Sequence, residues 1–230
     1  MRLLLASTAL LVAAQIALAQ TTVSFPTPDG GVVFADVYES SSHPNTRAVL
    51  LIHGGQFKKE SWAPQAKELA AAGFEVMAID MRGFGPSHGP GDKDPMSAPI
   101  HLDALAAVRY LHAHGATSVS IVGASMGGWA AGDASIASNP GEIDRVVFLA
   151  SAPNGPAGKL KSASLFLVAR DDSDGSGELR LPGIRAQYDR APQPKRLIIV
   201  PGSAHAQFLF KTDQSARVMK EILAWLNAAK

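Results

Sequence analysis

Ser125 sits in Gly123-Ala124-Ser125-Met126-Gly127, a G-x-S-x-G spacing that Gly128 extends. The apolar run Val119-Ser120-Ile121-Val122 precedes it, and the small-residue stretch Trp129-Ala130-Ala131-Gly132 follows it. A strand, a sharp turn and a helix in that order lift a serine hydroxyl to the carboxyl end of the strand. Glycines at the flanking positions leave room for the neighbouring strand and helix. A hydroxyl is a weak nucleophile until a base takes its proton, so the pattern calls for a histidine and an acid further along the chain. His205 ends the loop Val200-Pro201-Gly202-Ser203-Ala204-His205, directly after the last apolar run. Leu165–Ala169 runs into Arg170-Asp171-Asp172-Ser173-Asp174, and Asp172, three residues past Ala169, is the acid chosen to orient His205. Asp171 and Asp174 stay open as alternatives. The plain reading of the same residues is an N-cap serine, a surface histidine and a solvated acidic turn.

Acyl chemistry at Ser125 also needs donors for a developing oxyanion. The backbone N–H of Met126 is one. The loop His53-Gly54-Gly55-Gln56 supplies the second, with Gly55 the choice and Gln56 the alternative. His53 reads as a residue that orders this loop by hydrogen bonding, outside any proton transfer. His101, His112 and His114 fall on one helix, and the spacing of two between the last pair turns them apart, against a metal pair. His43 lies in a Ser/Pro loop, and His88 stands at the edge of a Gly/Pro loop with no assigned task. Phe57, Trp62, Phe84 and Trp129 serve equally well as cavity wall or as core.

The elements that must position these residues read as an α/β chain. Eight short apolar runs are expected as strands: Thr21–Thr27, Val32–Glu39, Arg47–His53, Phe74–Asp80, Val119–Ala124, Arg145–Ala150, Leu165–Ala169 and Arg196–Val200. Helical stretches alternate with them at Ser61–Ala72, Ser97–His114, Met126–Ala137 and Asp213–Ala229, which is the pattern of a mostly parallel sheet covered on both faces. Glu178–Arg190 is left undecided because Pro182-Gly183 interrupts it. Only about fifteen residues separate the sixth and seventh strands, too few for an inserted cap domain.

The 230 residues fit a single domain, with 47% hydrophobic and 18% charged residues and a formal charge of +1. That balance sets aside a phosphate-grasping basic face, so no nucleic acid is expected. The chain has no Cys, which removes disulfides, thiolate metal sites and a cysteine nucleophile. Arg2, the apolar run Leu3 to Ala14 and the small-x-small Ala17-Leu18-Ala19 make residues 1–19 a signal peptide with Gln20 as the new N-terminus. Export to a bacterial periplasm or secretion follows as an expectation, with residues 20–230 as one mature domain and no membrane anchoring after cleavage.

With these pieces in place the chain resembles the α/β-hydrolase family over nearly all of its mature length. Asp80-Met81-Arg82-Gly83-Phe84-Gly85-Pro86-Ser87 looks like the family's D-x-R-G-x-G-x-S loop, and Leu51–Phe57 with Ser61-Trp62 is similar to small lid-less members of the abhydrolase-14 type. The resemblance implies Ser125 as nucleophile, His205 as general base and acid, and Asp172 as its partner, acting on small carboxylic esters without cofactor or metal. Amide cleavage, or acyl transfer to an acceptor other than water (a perhydrolase included), would use the same residues. A non-catalytic binding protein that kept the fold is the reading from another class. Haloalkane and epoxide chemistry are disfavoured, because the family carries Asp at the nucleophile position for them.

Overall fold

The computed structural model describes residues 20–40 and 46–229. The expected signal peptide at 1–19 and the loop residue His43 lie outside the described residues. One sheet is built from β1 (Gln20–Pro26), β2 (Val32–Tyr38), β3 (Arg47–Ile52), β4 (Glu75–Ile79), β5 (Ser118–Ala124), β6 (Arg145–Leu149), β7 (Ala163–Ala169) and β8 (Lys195–Val200). Their order is β1-β2-β4-β3-β5-β6-β7-β8. β1 pairs antiparallel with β2, and β2 antiparallel with β4, while every later pairing is parallel. Residues 48–52 of β3 and 119–124 of β5 are buried without a break, so both faces of the sheet are covered there. Continuous aliphatic runs, rather than alternating ones, are what such doubly covered strands require.

The helices are α1 (Ala63–Ala71), α2 (His101–Ala113), α3 (Met126–Ala137), α4 (Arg180–Arg190) and α5 (Ser215–Asn227). Three of them, α1, α2 and α5, start later than the sequence pattern suggests. Pro99 and the turns from Asp94 to Ile100 delay α2, and a 3-10 turn at Lys59–Trp62 precedes α1. The undecided segment is helical from Arg180. Pro182 falls in the first turn of α4, where a missing N–H costs nothing because that amide would have no intrahelical acceptor. Between β6 and β7 the chain makes only a 3-10 turn at Ala157–Lys159, so no cap intervenes.

Parallel pairing brings the carboxyl ends of β3, β5, β6, β7 and β8 to one edge, and the loops leaving that edge carry all the candidate residues. The loop after β4 braces this edge from behind. Arg82, with no exposed surface, places its guanidinium on Asp103 (Nη2–Oδ1 2.7 Å) and on Asp29 (Nη2–Oδ1 3.0 Å), and Asp103 also accepts from the Arg82 amide at 2.8 Å. Asp80 accepts from the Lys59 amide at 2.8 Å, and the Ser87 hydroxyl accepts from the Phe34 amide at 2.9 Å. The D-x-R-G-x-G-x-S resemblance thus marks a structural clamp. Removing one member of a buried ion pair strands the other charge, so Asp103→Ala is expected to cost about 3–5 kcal/mol. Urea denaturation of the variant beside the parent protein measures this, and a loss under 1 kcal/mol would show that the clamp contributes little.

Candidate active site

Ser125 is the residue between β5 and α3, with φ 51° and ψ −118°. A non-glycine residue in that region carries strain on the order of 1–3 kcal/mol, which the surroundings must hold in place. Its amide donates to the Leu149 carbonyl at 2.9 Å, and its carbonyl accepts from the Ser151 hydroxyl and the Gly128 amide, both at 2.8 Å. A Cβ at Gly123 would strike the backbone of Gly127, and one at Gly127 would strike the carbonyls of Ile52 and His53. The glycines are therefore required by contact and not merely tolerated.

His205 lies 2.8 Å from Ser125, Nε2 to Oγ. Its Nδ1 stands 2.9 and 3.1 Å from the two carboxylate oxygens of Asp172. With Nδ1–H donating to the fully buried Asp172, Nε2 is left with its lone pair facing the serine hydroxyl. Asp172, the acid chosen from the sequence, is the one brought to His205. Asp171 is exposed at the surface, and Asp174 instead accepts from the Ser176 and Glu178 amides within its own turn. Among the described residues no cluster of His, Asp or Glu is placed to hold a metal ion.

Gly55 and Gln56 are the central residues of a turn closed by the Phe57 amide on the Gly54 carbonyl at 3.0 Å. Gly54 packs directly on Ser125, and its own amide is taken by Gln207 Oε1 at 2.8 Å. Gly55 lies beside the Met126 side chain, and Gly55, Gln56, Ser125 and Met126 share the wall of one cavity of about 260 Å3. Both sequence candidates for the second oxyanion donor thus stand beside the serine. Phe57 and Trp129 line the same cavity, whereas Trp62 is in the core and Phe84 packs its edge on His53. His88 is exposed, with its ring on the Pro86 carbonyl.

Two supporting residues escaped the sequence reading. Gln207, two residues past His205, ties the glycine loop to the Ser61 hydroxyl (Nε2–Oγ 2.7 Å). Arg180 returns to Asp172, its Nε 3.5 Å from Oδ1 in an ion-pair contact without a hydrogen bond. Only the chain separation from Gly54 to Gln207 explains the first omission. The second had a visible signal, an arginine near the start of the undecided segment.

His53 keeps the loop in register from below. Its Nδ1 donates to the Gly54 carbonyl at 2.9 Å, and its Nε2 accepts from the Met81 amide at 3.2 Å, so the ring must be neutral. Burial pushes its pKa down from 6.5 to about 4. The unfolded chain therefore binds this proton first as pH falls. The contribution is complete above about pH 6.5 and is lost progressively toward pH 4, by roughly 3 kcal/mol in all. Histidine NMR should show the His53 ring unmoved at pH 5.5, when ordinary histidines have titrated. Urea midpoints taken from pH 7 to pH 4.5 should fall less steeply in His53→Gln, and parallel slopes would refute the assignment.

Comparison with known proteins agrees with this architecture. A family model described as the alpha/beta hydrolase fold matches residues 47–183. A bifunctional epoxide hydrolase of Sus scrofa is 35% identical over 81 residues, which is 35% of this chain and 14% of that protein. The chain therefore spans only a small part of that curated relative. Among solved structures it is similar to an esterase of Pyrococcus furiosus, at 17% identity and TM-score 0.71 over 91% of this chain and 94% of that one. A predicted CIB-like hydrolase of Thermoplasma acidophilum superposes with TM-score 0.70 at 23% identity, over 91% and 99% of the two chains. Since the family model covers more than half of the sequence, the chain belongs to the alpha/beta hydrolase fold family.

Proposed function

We propose that the protein is a serine hydrolase that cleaves small carboxylic esters through an acyl-enzyme intermediate. One observation carries the reading: the hydrogen-bonded line from Ser125 Oγ to His205 Nε2 and from His205 Nδ1 to Asp172. In this reading Oγ attacks the ester carbonyl as Nε2 takes its proton. Asp172 holds the tautomer and stabilises the imidazolium. The oxyanion is received by the amide of Met126, at the amino end of α3, and by that of Gly55 or Gln56. Nε2 then returns the proton to the leaving alcohol, and a water activated by the same nitrogen releases the acid.

The epoxide chemistry named for the Sus scrofa relative is not carried over. A serine that opened an epoxide would be left as an ether, which base-activated water does not cleave, whereas a carboxylate nucleophile leaves a hydrolysable ester. The site also favours apolar acyl groups. Of the three large hydrophobic side chains that stand exposed among the described residues, Met96 and Phe208 line the cavity that contains Ser125. Export belongs to the same proposal and is supported by the leader-like sequence at 1–19. No described helix is long and apolar enough to cross a membrane.

Residues 20–230 assayed on p-nitrophenyl esters from acetate to palmitate should turn over the short and medium chains best. Ser125→Ala should lose activity by about 10⁴-fold or more, and Asp172→Asn by about 10⁴-fold. A fluorophosphonate should label the parent protein and not Ser125→Ala. Turnover that survives in Ser125→Ala would overturn the nucleophile, and no turnover with no label would favour the binding-protein reading.

A further inference from the structure

A second cavity, of about 380 Å3, opens between the loop after β6 and the start of α4. Trp129 and Arg180 line both cavities, so the second adjoins the one that contains Ser125. The two walls differ in kind. Phe57, Met96, Met126 and Phe208 face the first, while Ser151, Asp174, Glu178, Arg180 and Gln187 stand around Trp129 in the second, where Pro153, Leu179 and Ile184 complete the wall.

Asp174 and Glu178 stand on a fastened loop that leads into Arg180, whereas Ser151 follows β6 and Gln187 lies on α4. Asp174 Oδ1 accepts from the Ser176 amide at 2.8 Å, the Ser176 hydroxyl at 2.6 Å and the Glu178 amide at 3.1 Å. Ser173 and Leu179 form an antiparallel bridge, and the Arg180 amide donates to the Asp172 carbonyl at 2.9 Å. Groups held in this way are ordered before a ligand arrives, which lowers the entropy cost of binding.

The signs of the charges select the ligand. An anion entering the cavity would meet Asp174 and Glu178. A cation would meet the Arg180 guanidinium, which sits at the junction of the two cavities. A neutral group bearing several hydroxyls suits all of them, since each hydroxyl donates to a carboxylate and accepts from guanidinium or amide N–H. The C–H face of a sugar ring adds apolar surface to pack on Trp129.

We propose that the second cavity is a subsite for an uncharged sugar ring, and that the substrates are sugars acylated by a short apolar acid. The proposal rests on the ester-hydrolase reading and names its substrate class. The apolar acyl group occupies the Ser125 cavity and the sugar the polar one. When the acyl C–O bond to the sugar breaks, the sugar oxygen takes the proton that His205 removed from Ser125, and the acyl group passes to Oγ. Water then takes the acyl group in the second step.

The test compares 6-O-butyrylglucose with ethyl butyrate, glycerol monobutyrate, butyrylcholine and monoethyl succinate, using the full chain. The kcat/KM ratio of the sugar ester to ethyl butyrate should be about tenfold or more. It should fall toward one in Glu178→Ala and in Gln187→Leu, and taking the ratio within each variant cancels any general loss. A ratio near one in the parent protein, a ratio unchanged in both variants, or faster turnover of the glycerol, choline or succinate ester would overturn the proposal. A second arm does not depend on turnover: binding of 6-O-butyrylglucose to Ser125→Ala, followed by saturation-transfer NMR. Saturable binding that weakens when Glu178→Ala is added supports the sugar subsite even if no ester is hydrolysed, an outcome that would strike the hydrolase reading alone. Absence of binding in Ser125→Ala overturns the subsite.

Discussion

Helix α3 begins in direct contact with the sheet, and the site follows from that contact. The backbones of Gly123 and Gly127 pass so closely that neither position can hold a side chain, and Gly127 lies against the carbonyls at the end of β3. A chain that leaves β5 and starts a helix within one residue has to turn at Ser125, which is why that residue sits at φ 51°. The same approach brings Met126 and the glycine loop after β3 to the wall of the cavity that contains Ser125. Its strain is balanced by hydrogen bonds from Ser125 to the neighbouring strand and loop, through Leu149 and Ser151.

Around this turn the other loops are coupled to one another as well as to the serine. Ala150 and Ala206 also adopt positive φ, at 52° and 50°, so three non-glycine residues in the left-handed half of backbone space cluster at the carboxyl edge of the sheet. Gln207 joins the loop that carries His205 to the loop that carries Gly54 and Gly55. Behind them, His53 connects the glycine loop to Met81, and the buried Arg82 ties the next segment to α2 and to the turn after β1. Displacement of the loop that carries His205 would thus be felt at the glycine loop through one buried side chain.

The electrostatics divide along the same lines. The interior supports are held either neutral or paired: His53 by burial and by the two backbone groups it contacts, Arg82 by two carboxylates. The candidate site instead ends in a serine hydroxyl hydrogen-bonded to a partly exposed histidine, with the fully buried Asp172 behind it. Arg180 adds a positive charge beside Asp172 Oδ1, and it lines both cavities. Without a cap between β6 and β7, these loop side chains form the walls around the serine.

Much of this was legible in the sequence because it depends on local rules. Doubly covered strands must be continuous and aliphatic, and a strand that turns at once into a helix must have glycine on both sides of its serine. Those rules placed eight strands, the Ser125 turn, the glycine loop and the order of serine, acid and histidine along the chain. The helical reading of Arg180–Arg190 depended on where Pro182 falls relative to a helix start that only the finished chain defines. Asp172 was chosen among the three acids by its place three residues past Ala169, with Asp171 and Asp174 left open because all three stand in one turn. Which carboxylate is buried against His205 depends on how the β7 and β8 loops pack. Gln207 and Arg180 acquire their contacts across 153 and 8 residues respectively, and the adjoining apolar and polar cavities exist only between loops. Composition and spacing determine the backbone pattern and the candidate site side chains, whereas the supports and cavity walls come from segments that meet only when the sheet is assembled.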